Sequence, residues 1–173
     1  MNIRVDLLDA NHHTRSGKPM SKIEGLVYHW VAGPKQSAAG VRNYFNGLDD
    51  RYASANYIID SKETIQTIPD NEMSYHCGAK AYNDKLLKRL GITYPNAHMI
   101  GIELCHDDWS GEFSQEVLQQ AIDLGIHLCK KHNLDGSRIF RHYDISYKNC
   151  PRWFVNNPNE WTAFYRRIQE GLK

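Results

Sequence analysis

The chain has 173 residues, a length that suits one domain around a single hydrophobic core. Its 21 basic and 20 acidic side chains give a formal net charge of +1, and this near balance gives no electrostatic sign of nucleic acid binding, which needs a concentrated basic face. No apolar run approaches the roughly 20 residues of a membrane helix, and residues 1–6 lack the charged-then-apolar order of a secretion signal. We therefore expect a monomer that is made in the cytoplasm, binds no nucleic acid and does not insert into a membrane.

The first half of the chain predicts three strands and one helix. Residues 23–31 form an apolar run typical of a buried strand, which Gly33-Pro34 ends. Residues 37–48 carry apolar side chains at helical spacing. Residues 53–60 and 64–68 favour the two strands of a hairpin, because only a short polar segment separates them.

The second half predicts further strands between helices. The predictions are a polar loop over 71–83, helices over 84–91, over 114–132 and from Asn159 onward, a turn at Pro95-Asn96, and strands over 99–104 and 138–141. Ser114 is a suitable N-cap for the longest of these helices. The sum predicts an α/β domain whose sheet is flanked by helices.

The cysteines do not favour a disulfide framework. They are Cys77, Cys105, Cys129 and Cys150. An even count invites pairing, but a chain of this length without a secretion signal makes that interpretation weak. Cys129 lies in an apolar helical stripe and is interpreted as a core thiol. Cys150 differs from the others because its neighbours are polar.

Residues 141–151 carry the strongest chemical signal. They place His142, Lys148 and Cys150 in a turn-like segment closed by Pro151. Imidazole and thiolate are usual zinc ligands, and His29 at the end of an apolar strand is a candidate third. Three protein ligands leave a position for water, as in hydrolytic zinc sites. A histidine within an apolar strand is more often a satisfied core residue, however, and spacing does not show that these side chains meet.

Three more residues admit two interpretations each. Glu103 interrupts an apolar strand, so it either faces water or is a carboxylate in a partly dry site, with a raised pKa and able to accept a proton. Lys148 is either a solvated lysine or a cation that stabilises an oxyanion. His76 is either an exposed loop histidine or a substrate contact. His29, Glu103 and His142 all fall at or just after strand ends, where the ligands of α/β sheets collect.

An ordered set of motifs resembles one known family. The motifs span residues 28–30, 55–60, 75–78, 100–104, 141–145 and 148–151. Together they resemble the zinc-dependent N-acetylmuramoyl-L-alanine amidases, and within them the type 2 amidases, which include phage endolysins, bacterial autolysins and the related peptidoglycan recognition proteins. The resemblance covers roughly residues 20 to 155 and implies one catalytic domain over residues 1–173.

The resemblance implies a fold and a catalytic set. The fold is a mixed sheet of about five or six strands with helices on both sides and one Zn²⁺ in a surface groove. The implied metal ligands are His29, His142 and Cys150, with Glu103 activating the attacking water and Lys148 stabilising the oxyanion. This chain has Ala55 where some members carry a catalytic tyrosine, and those members tend to lack the strand glutamate.

The resemblance also implies the substrate and its contacts. His76 matches a histidine of the substrate groove, and Trp30 and Asn56 are further candidates for substrate contact, although many members have histidine in place of Asn56. The substrate is peptidoglycan, cut at the amide that joins N-acetylmuramic acid to L-alanine of the stem peptide.

The predicted role is that of a phage endolysin that lyses the bacterial wall after release from the cytoplasm. A separate wall-binding domain outside this chain is compatible with that role. One alternative is a recognition module without turnover, which the combination of Glu103, Lys148 and Cys150 disfavours. A second is an intracellular amidase that recycles wall fragments, whose third ligand is more often aspartate. A third is a regulatory protein that binds an RNA polymerase, for or against which the sequence gives no signal.

Overall fold

The computed structural model describes residues 2–173, so Met1 of the predicted domain lies outside the described part. Its strands are β1 (Arg4–Val5), β2 (Gly25–Trp30), β3 (Tyr57–Ile59), β4 (Thr64–Gln66), β5 (Met99–Leu104) and β6 (Ile139–Arg141). They form one sheet in the order β1-β4-β3-β5-β2-β6. The β3–β4 pair is antiparallel and the other pairs are parallel, so the predicted mixed sheet is confirmed.

The helices begin at capping residues that the sequence supplies. They are α1 (Ala38–Asn46), α2 (Asp84–Leu90), α3 (Gln115–Lys131), α4 (His142–Ser146), α5 (Arg152–Asn156) and α6 (Pro158–Gly171), with a 3₁₀ turn at Pro95–Ala97. The side chains of Ser37, Asn83 and Ser114 accept hydrogen bonds from backbone N–H groups in the first turns of α1, α2 and α3. Within residues 2–173, none of these helices combines the length and apolar composition needed to cross a membrane.

Helices cover both faces of the sheet. On one face, α3 and α6 bury the large core that contains Tyr28, whose hydroxyl donates a hydrogen bond of 2.9 Å to the Ala121 carbonyl. On the other face, one buried cluster joins α1 to Ile58 of β3, and a separate cluster joins α2 and α4 to Val27 of β2. Because side chains alternate along a strand, His29 lies on this second face together with Val27.

Several sequence predictions are confirmed, but one strand was predicted too long, two elements were not predicted and one segment is more than the predicted turn. The predicted strand over 53–60 is shortened to Tyr57–Ile59, because Ala53 and Ser54 donate their backbone N–H groups to the carbonyls of His13 and Tyr75. Strand β1 and helix α5 were not predicted. Residues 141–151 are not only a turn, since α4 begins at His142.

Helix α4 forms because its first turn is capped from within. The Asp144 carboxylate accepts a 2.8 Å hydrogen bond from the backbone N–H of Arg141 and pairs with the Arg141 guanidinium at 2.8 Å. The helix ends at Tyr147, which adopts a left-handed conformation with φ of 62°.

Candidate metal centre

The sheet register brings three of the predicted residues together. His29 of β2 pairs directly with Glu103 of β5, and Glu103 in turn pairs with Ile58 of β3. On the other side of β2, Tyr28 pairs with Arg141, so His142 follows the end of β6 next to His29. Because these strands are parallel, their carboxyl ends meet at one edge of the sheet, where α/β folds bind ligands.

His29, His142 and Cys150 form a buried group with metal-ligand chemistry. One ligand atom of each lies within 4.8 Å of the others. The His29 and His142 ring centroids are 4.7 Å apart, and Cys150 Sγ lies 3.7 Å from His29 Nδ1. A tetrahedral zinc ion holds nitrogen and sulfur ligands about 3.5 Å apart, from bonds of about 2.0 and 2.3 Å. The observed separation therefore fits such an ion.

His142 gives an independent reason to expect a ligand at this position. Its side chain is only 1% exposed, yet neither Nδ1 nor Nε2 has a hydrogen-bond partner among the described residues. Leaving buried polar atoms unpaired costs free energy, and native proteins rarely do so. A metal ion bound by one nitrogen would remove part of that cost.

The loop that carries Cys150 is fastened to the first turn of α4. The backbone N–H of Tyr143 donates a 2.9 Å hydrogen bond to the Cys150 carbonyl, and the N–H of Cys150 donates to the Lys148 carbonyl at 2.7 Å. These two bonds fold the chain back after α4. They explain how ligands eight positions apart in sequence, His142 and Cys150, come to face the same point.

His76 determines the orientation of His29. His76 Nε2 lies 3.0 Å from the Met99 carbonyl oxygen, which only accepts, so Nε2 carries the proton of the neutral ring. His76 Nδ1 is then an acceptor, and it lies 2.9 Å from His29 Nε2, which must donate. The remaining nitrogen of neutral His29, Nδ1, therefore presents its lone pair towards Cys150. Histidine ligands of metals commonly donate their other N–H in this way.

The hydrogen bond between His29 and His76 also argues against a second possible ligand group. His29, His76 and Cys77 also bring one ligand atom each within 4.8 Å. In that group, however, His29 Nε2 and His76 Nδ1 already share a hydrogen bond of 2.9 Å. That separation is shorter than the roughly 3.3 Å between two nitrogens on a tetrahedral zinc ion. The group of His29, His142 and Cys150 therefore fits a metal better.

Burial keeps the three imidazoles neutral. It lowers the pKa of His142 to about 3 and that of His76 to about 4. It also lowers the pKa of His29 well below the usual value, with the neighbouring His142, His76 and Lys148 charges adding to the effect. A neutral imidazole has the lone pair that a metal ligand needs. Burial raises the pKa of the Cys150 thiol to about 12, so a nearby cation is needed to hold it as a thiolate.

Glu103 has the environment expected of a proton carrier. Its side chain is partly exposed, but Oε2 is buried and has no hydrogen-bond partner among the described residues. Burial raises the pKa of Glu103 to about 8, and the nearby Lys148 ammonium opposes the rise. A carboxyl group that titrates near neutral pH can both accept and donate a proton during a reaction.

The other predicted contacts are placed differently. Lys148 is exposed at the rim of the group. Trp30 points to the opposite face of the sheet from His29, stacks on His106 with ring centroids 4.7 Å apart and carries the Arg152 guanidinium over its ring. Asn56, which directly precedes β3, is fully buried and accepts a 3.1 Å hydrogen bond from the Gly101 N–H of β5. The Trp30 side chain is thus kept away from the metal group, although its backbone forms a hydrogen bond with the Cys150 thiol.

Two residues of the site were missed at the sequence level. Cys77 is buried with Sγ 3.3 Å from His76 Nδ1. Gly101 packs directly against the His76 ring. A Cβ at this position would lie only 2.5 Å from His76 Cγ. A glycine inside an otherwise apolar strand often marks such a close approach, so Gly101 did carry a signal.

Known proteins resemble this chain in sequence. The family model described as N-acetylmuramoyl-L-alanine amidase matches residues 19–153. The chain is 36% identical over 172 residues to a probable N-acetylmuramoyl-L-alanine amidase of Bacillus licheniformis, and the match covers 96% of this chain and 47% of that relative. The chain spans about half the length of the curated relatives it matches.

Solved structures share the fold. The mutant endolysin from Bacillus subtilis superimposes with a TM-score of 0.77 at 25% identity and covers 97% of this chain and 99% of that one. The structure of PlyL gives a TM-score of 0.81 at 22% identity and covers 99% of each chain. The mixed sheet with helices on both faces is therefore a fold that these proteins have in common.

Proposed function

The chain belongs to the N-acetylmuramoyl-L-alanine amidase family, and we propose that it hydrolyses the amide bond between N-acetylmuramic acid and L-alanine of peptidoglycan, using one zinc ion. The observation that carries the proposal is the buried group of His29, His142 and Cys150, in which both nitrogens of His142 lack partners. Glu103 stands in register with His29 on the neighbouring strand, where a base is needed.

The metal would be held by His29 Nδ1, an imidazole nitrogen of His142 and Cys150 Sγ. These are borderline-soft ligands, which suit Zn²⁺ better than Mg²⁺ or Ca²⁺. A bound zinc ion supplies Lewis acidity, which polarises a carbonyl group and lowers the pKa of water. His76 Nδ1 accepts a hydrogen bond from the Nε2–H group of His29 and so keeps the ligand nitrogen of His29 in place.

Protein side chains carry the proton and the charge. Glu103 accepts the proton of the attacking water and then delivers it to the nitrogen of the departing L-alanine, so that the amide C–N bond breaks without release of an amide anion. The exposed ammonium of Lys148 offers a positive charge to the oxygen of the tetrahedral intermediate. Burial of the ligands and of Glu103 Oε2 strengthens these interactions, because the local dielectric constant is low.

The proposed biological role is lysis of the bacterial cell wall, as an endolysin or autolysin. The likeness to an endolysin from Bacillus subtilis supports this role. The protein would then act on the wall after leaving the cell in which it is made. Its substrate partner would be peptidoglycan, and neither nucleic acid nor a second copy of the chain takes part in the proposed chemistry.

Metal analysis paired with product analysis tests the proposal. The purified chain is assayed for metal by elemental analysis, and for release of N-terminal alanine from purified peptidoglycan before and after chelation. One zinc per chain, with release that chelation abolishes and added zinc restores, is the expected result. Bound zinc without alanine release would indicate that the protein is a recognition module and not an amidase. A chain that binds no metal but still cleaves would overturn the assignment of His29, His142 and Cys150.

A further inference from the structure

A cleft lies near the metal group, on the same face of the sheet. It has a volume of about 420 Å³ and runs between α2 and α4. Phe140 lines it, and Phe140 shares a buried cluster with Val27 and Met99, the residues that precede the site on β2 and β5. The cleft is not part of the metal group, and nothing in the proposed mechanism uses it.

One wall of the cleft carries two cations without partners. Lys85 and Arg89 stand one helical turn apart on α2, both are exposed, and both line the cleft. The ion pairs found among residues 2–173 include neither side chain. The one carboxylate that lines the cleft, Asp144, is already paired with Arg141 at 2.8 Å. The cleft therefore presents net positive charge to a ligand.

The opposite wall is aromatic. Tyr143 and Tyr147 of the α4 segment line the cleft with ring centroids 6.3 Å apart, and 37% and 60% of their surfaces are exposed. Tyr147 holds the left-handed backbone conformation that ends α4. Exposed tyrosine rings give apolar contact area to a peptide while their hydroxyl groups stay available for hydrogen bonds.

The aromatic wall is continuous with the metal group. Tyr143 follows His142 directly and donates its backbone N–H to the Cys150 carbonyl at 2.9 Å. Tyr147 directly precedes Lys148. The aromatic wall and two of the proposed ligands therefore belong to the same short segment of the chain, residues 142–150.

We propose that this cleft binds the carboxylate-bearing part of the peptidoglycan stem peptide. The inference rests on the proposed function. In the intact substrate the lactyl carboxyl group of the glycan is tied up in the amide bond, so the glycan chain is neutral and the carboxylates lie on the peptide. The pair of Lys85 and Arg89 complements those carboxylates, and the tyrosine wall packs against the peptide. The stem peptide would thus leave the metal group on the α2 side.

A charge-reversed double variant, K85E/R89E, tests the proposal. The substrates are a soluble N-acetylmuramoyl pentapeptide with free carboxylates and the same molecule with every carboxylate amidated. The variant should raise KM for the acidic substrate about tenfold and leave kcat and the KM of the amidated substrate unchanged. The effect should shrink as salt is added, because exposed charges are screened. The matched control is K88E/K130E, which changes net charge equally at exposed positions outside the cleft.

Direct binding separates this inference from the proposed function. Calorimetric titration of both molecules into wild type and variants needs no turnover, and thermal melting confirms that each variant is folded. Suppose that wild type cleaves, and that K85E/R89E and the control both prefer the acidic molecule as strongly as wild type does. The cleft assignment then fails, and the proposed amidase activity stands. If wild type does not cleave, yet prefers the acidic molecule and loses that preference only in K85E/R89E, the cleft stands and the amidase fails.

Discussion

His76 Nδ1 lies 2.9 Å from His29 Nε2, and this contact fixes which nitrogen of His29 is free to bind a metal. The contact is part of a chain that starts at the Met99 carbonyl, 3.0 Å from His76 Nε2. Because β2 and β5 are neighbours, this chain ties the orientation of a proposed ligand to the backbone of the adjacent strand. His76 is thus a positioning residue that acts through His29.

Replacing His76 with alanine should weaken zinc binding about 10- to 100-fold, because His29 loses the acceptor that orients its ring. Competition with a chromogenic chelator measures the dissociation constant without reference to activity. His106→Ala is the matched control, since His106 is also buried and contacts backbone carbonyls, at 2.7 and 2.8 Å, but lies outside both ligand groups. Equal loss of zinc affinity in the two variants would mean that His76 stabilises the fold in general and does not orient His29.

Gly101→Ala should disturb the same contact from the opposite side. The added Cβ would meet His76 Cγ at 2.5 Å, so the imidazole must move away from its place. We expect weaker zinc binding and a loss of about 1–3 kcal/mol in the free energy of unfolding from overpacking. Chelator competition and urea denaturation measure the two effects. Gly78→Ala serves as the control, because a Cβ at Gly78 would meet no atom within 4 Å. Wild-type zinc affinity in Gly101→Ala would show that the position of the His76 ring does not control zinc binding.

The sequence predicted the framework of the site because that framework depends on strand ends. The apolar runs around His29 and Glu103 indicated two buried strands, and the short strand before His142 indicated a third. Parallel pairing of buried strands brings their carboxyl ends together, so the three side chains meet at one edge. The family match also confirms the resemblance on which the ligand set was predicted.

The remaining contacts depend on register and on loop paths that a single sequence does not encode locally. The hydrogen bond between His76 and His29 joins residues 47 positions apart in the chain. Asn56 is engaged by Ser74 and Gly101, which belong to different segments. Trp30 is an exception, because alternation along the strand already places its side chain on the face opposite to His29.

Glu103→Gln should lower the rate of amide hydrolysis about 10²- to 10⁴-fold, because an amide has the shape of the carboxylate but does not accept a proton. Zinc affinity should stay near the wild-type value, since Glu103 belongs to neither ligand group. Alanine release and chelator competition give the two readouts. Glu116→Gln, at an exposed position on α3, is the control. Retention of full activity by the Glu103 variant would assign the base to another residue.

A matched pair of cysteine variants distinguishes the two ligand groups. Cys150→Ala should lose zinc, because it removes a proposed thiolate ligand. Cys77→Ala should keep zinc, because Cys77 belongs only to the group whose histidines already share a hydrogen bond. Both thiols are buried, so the two substitutions leave comparable cavities. Zinc stoichiometry after dialysis provides the measurement. The reverse pattern would assign the metal site to His29, His76 and Cys77.

Asp70 joins the sheet to the end of α3 in a way that makes stability depend on pH. Its carboxylate accepts hydrogen bonds from Tyr57 at 2.5 Å, from Lys131 at 2.8 Å and from His132 at 2.7 Å. Burial favours the protonated form, but these hydrogen bonds outweigh burial and hold the pKa of Asp70 below its usual value. A carboxyl group with a lowered folded-state pKa stabilises the fold above its unfolded pKa of about 3.9.

Asp70→Asn should therefore reduce the free energy of unfolding by about 2–3 kcal/mol at pH 7, where wild type holds a charged acceptor. The difference between the two proteins should shrink as pH falls below about 4, because protonation of Asp70 removes the same charge from wild type. Urea unfolding across this pH range measures it. Asp49→Asn, at an exposed position, should stay close to wild type throughout. A difference independent of pH would mean that Asp70 acts through packing and not through its charge.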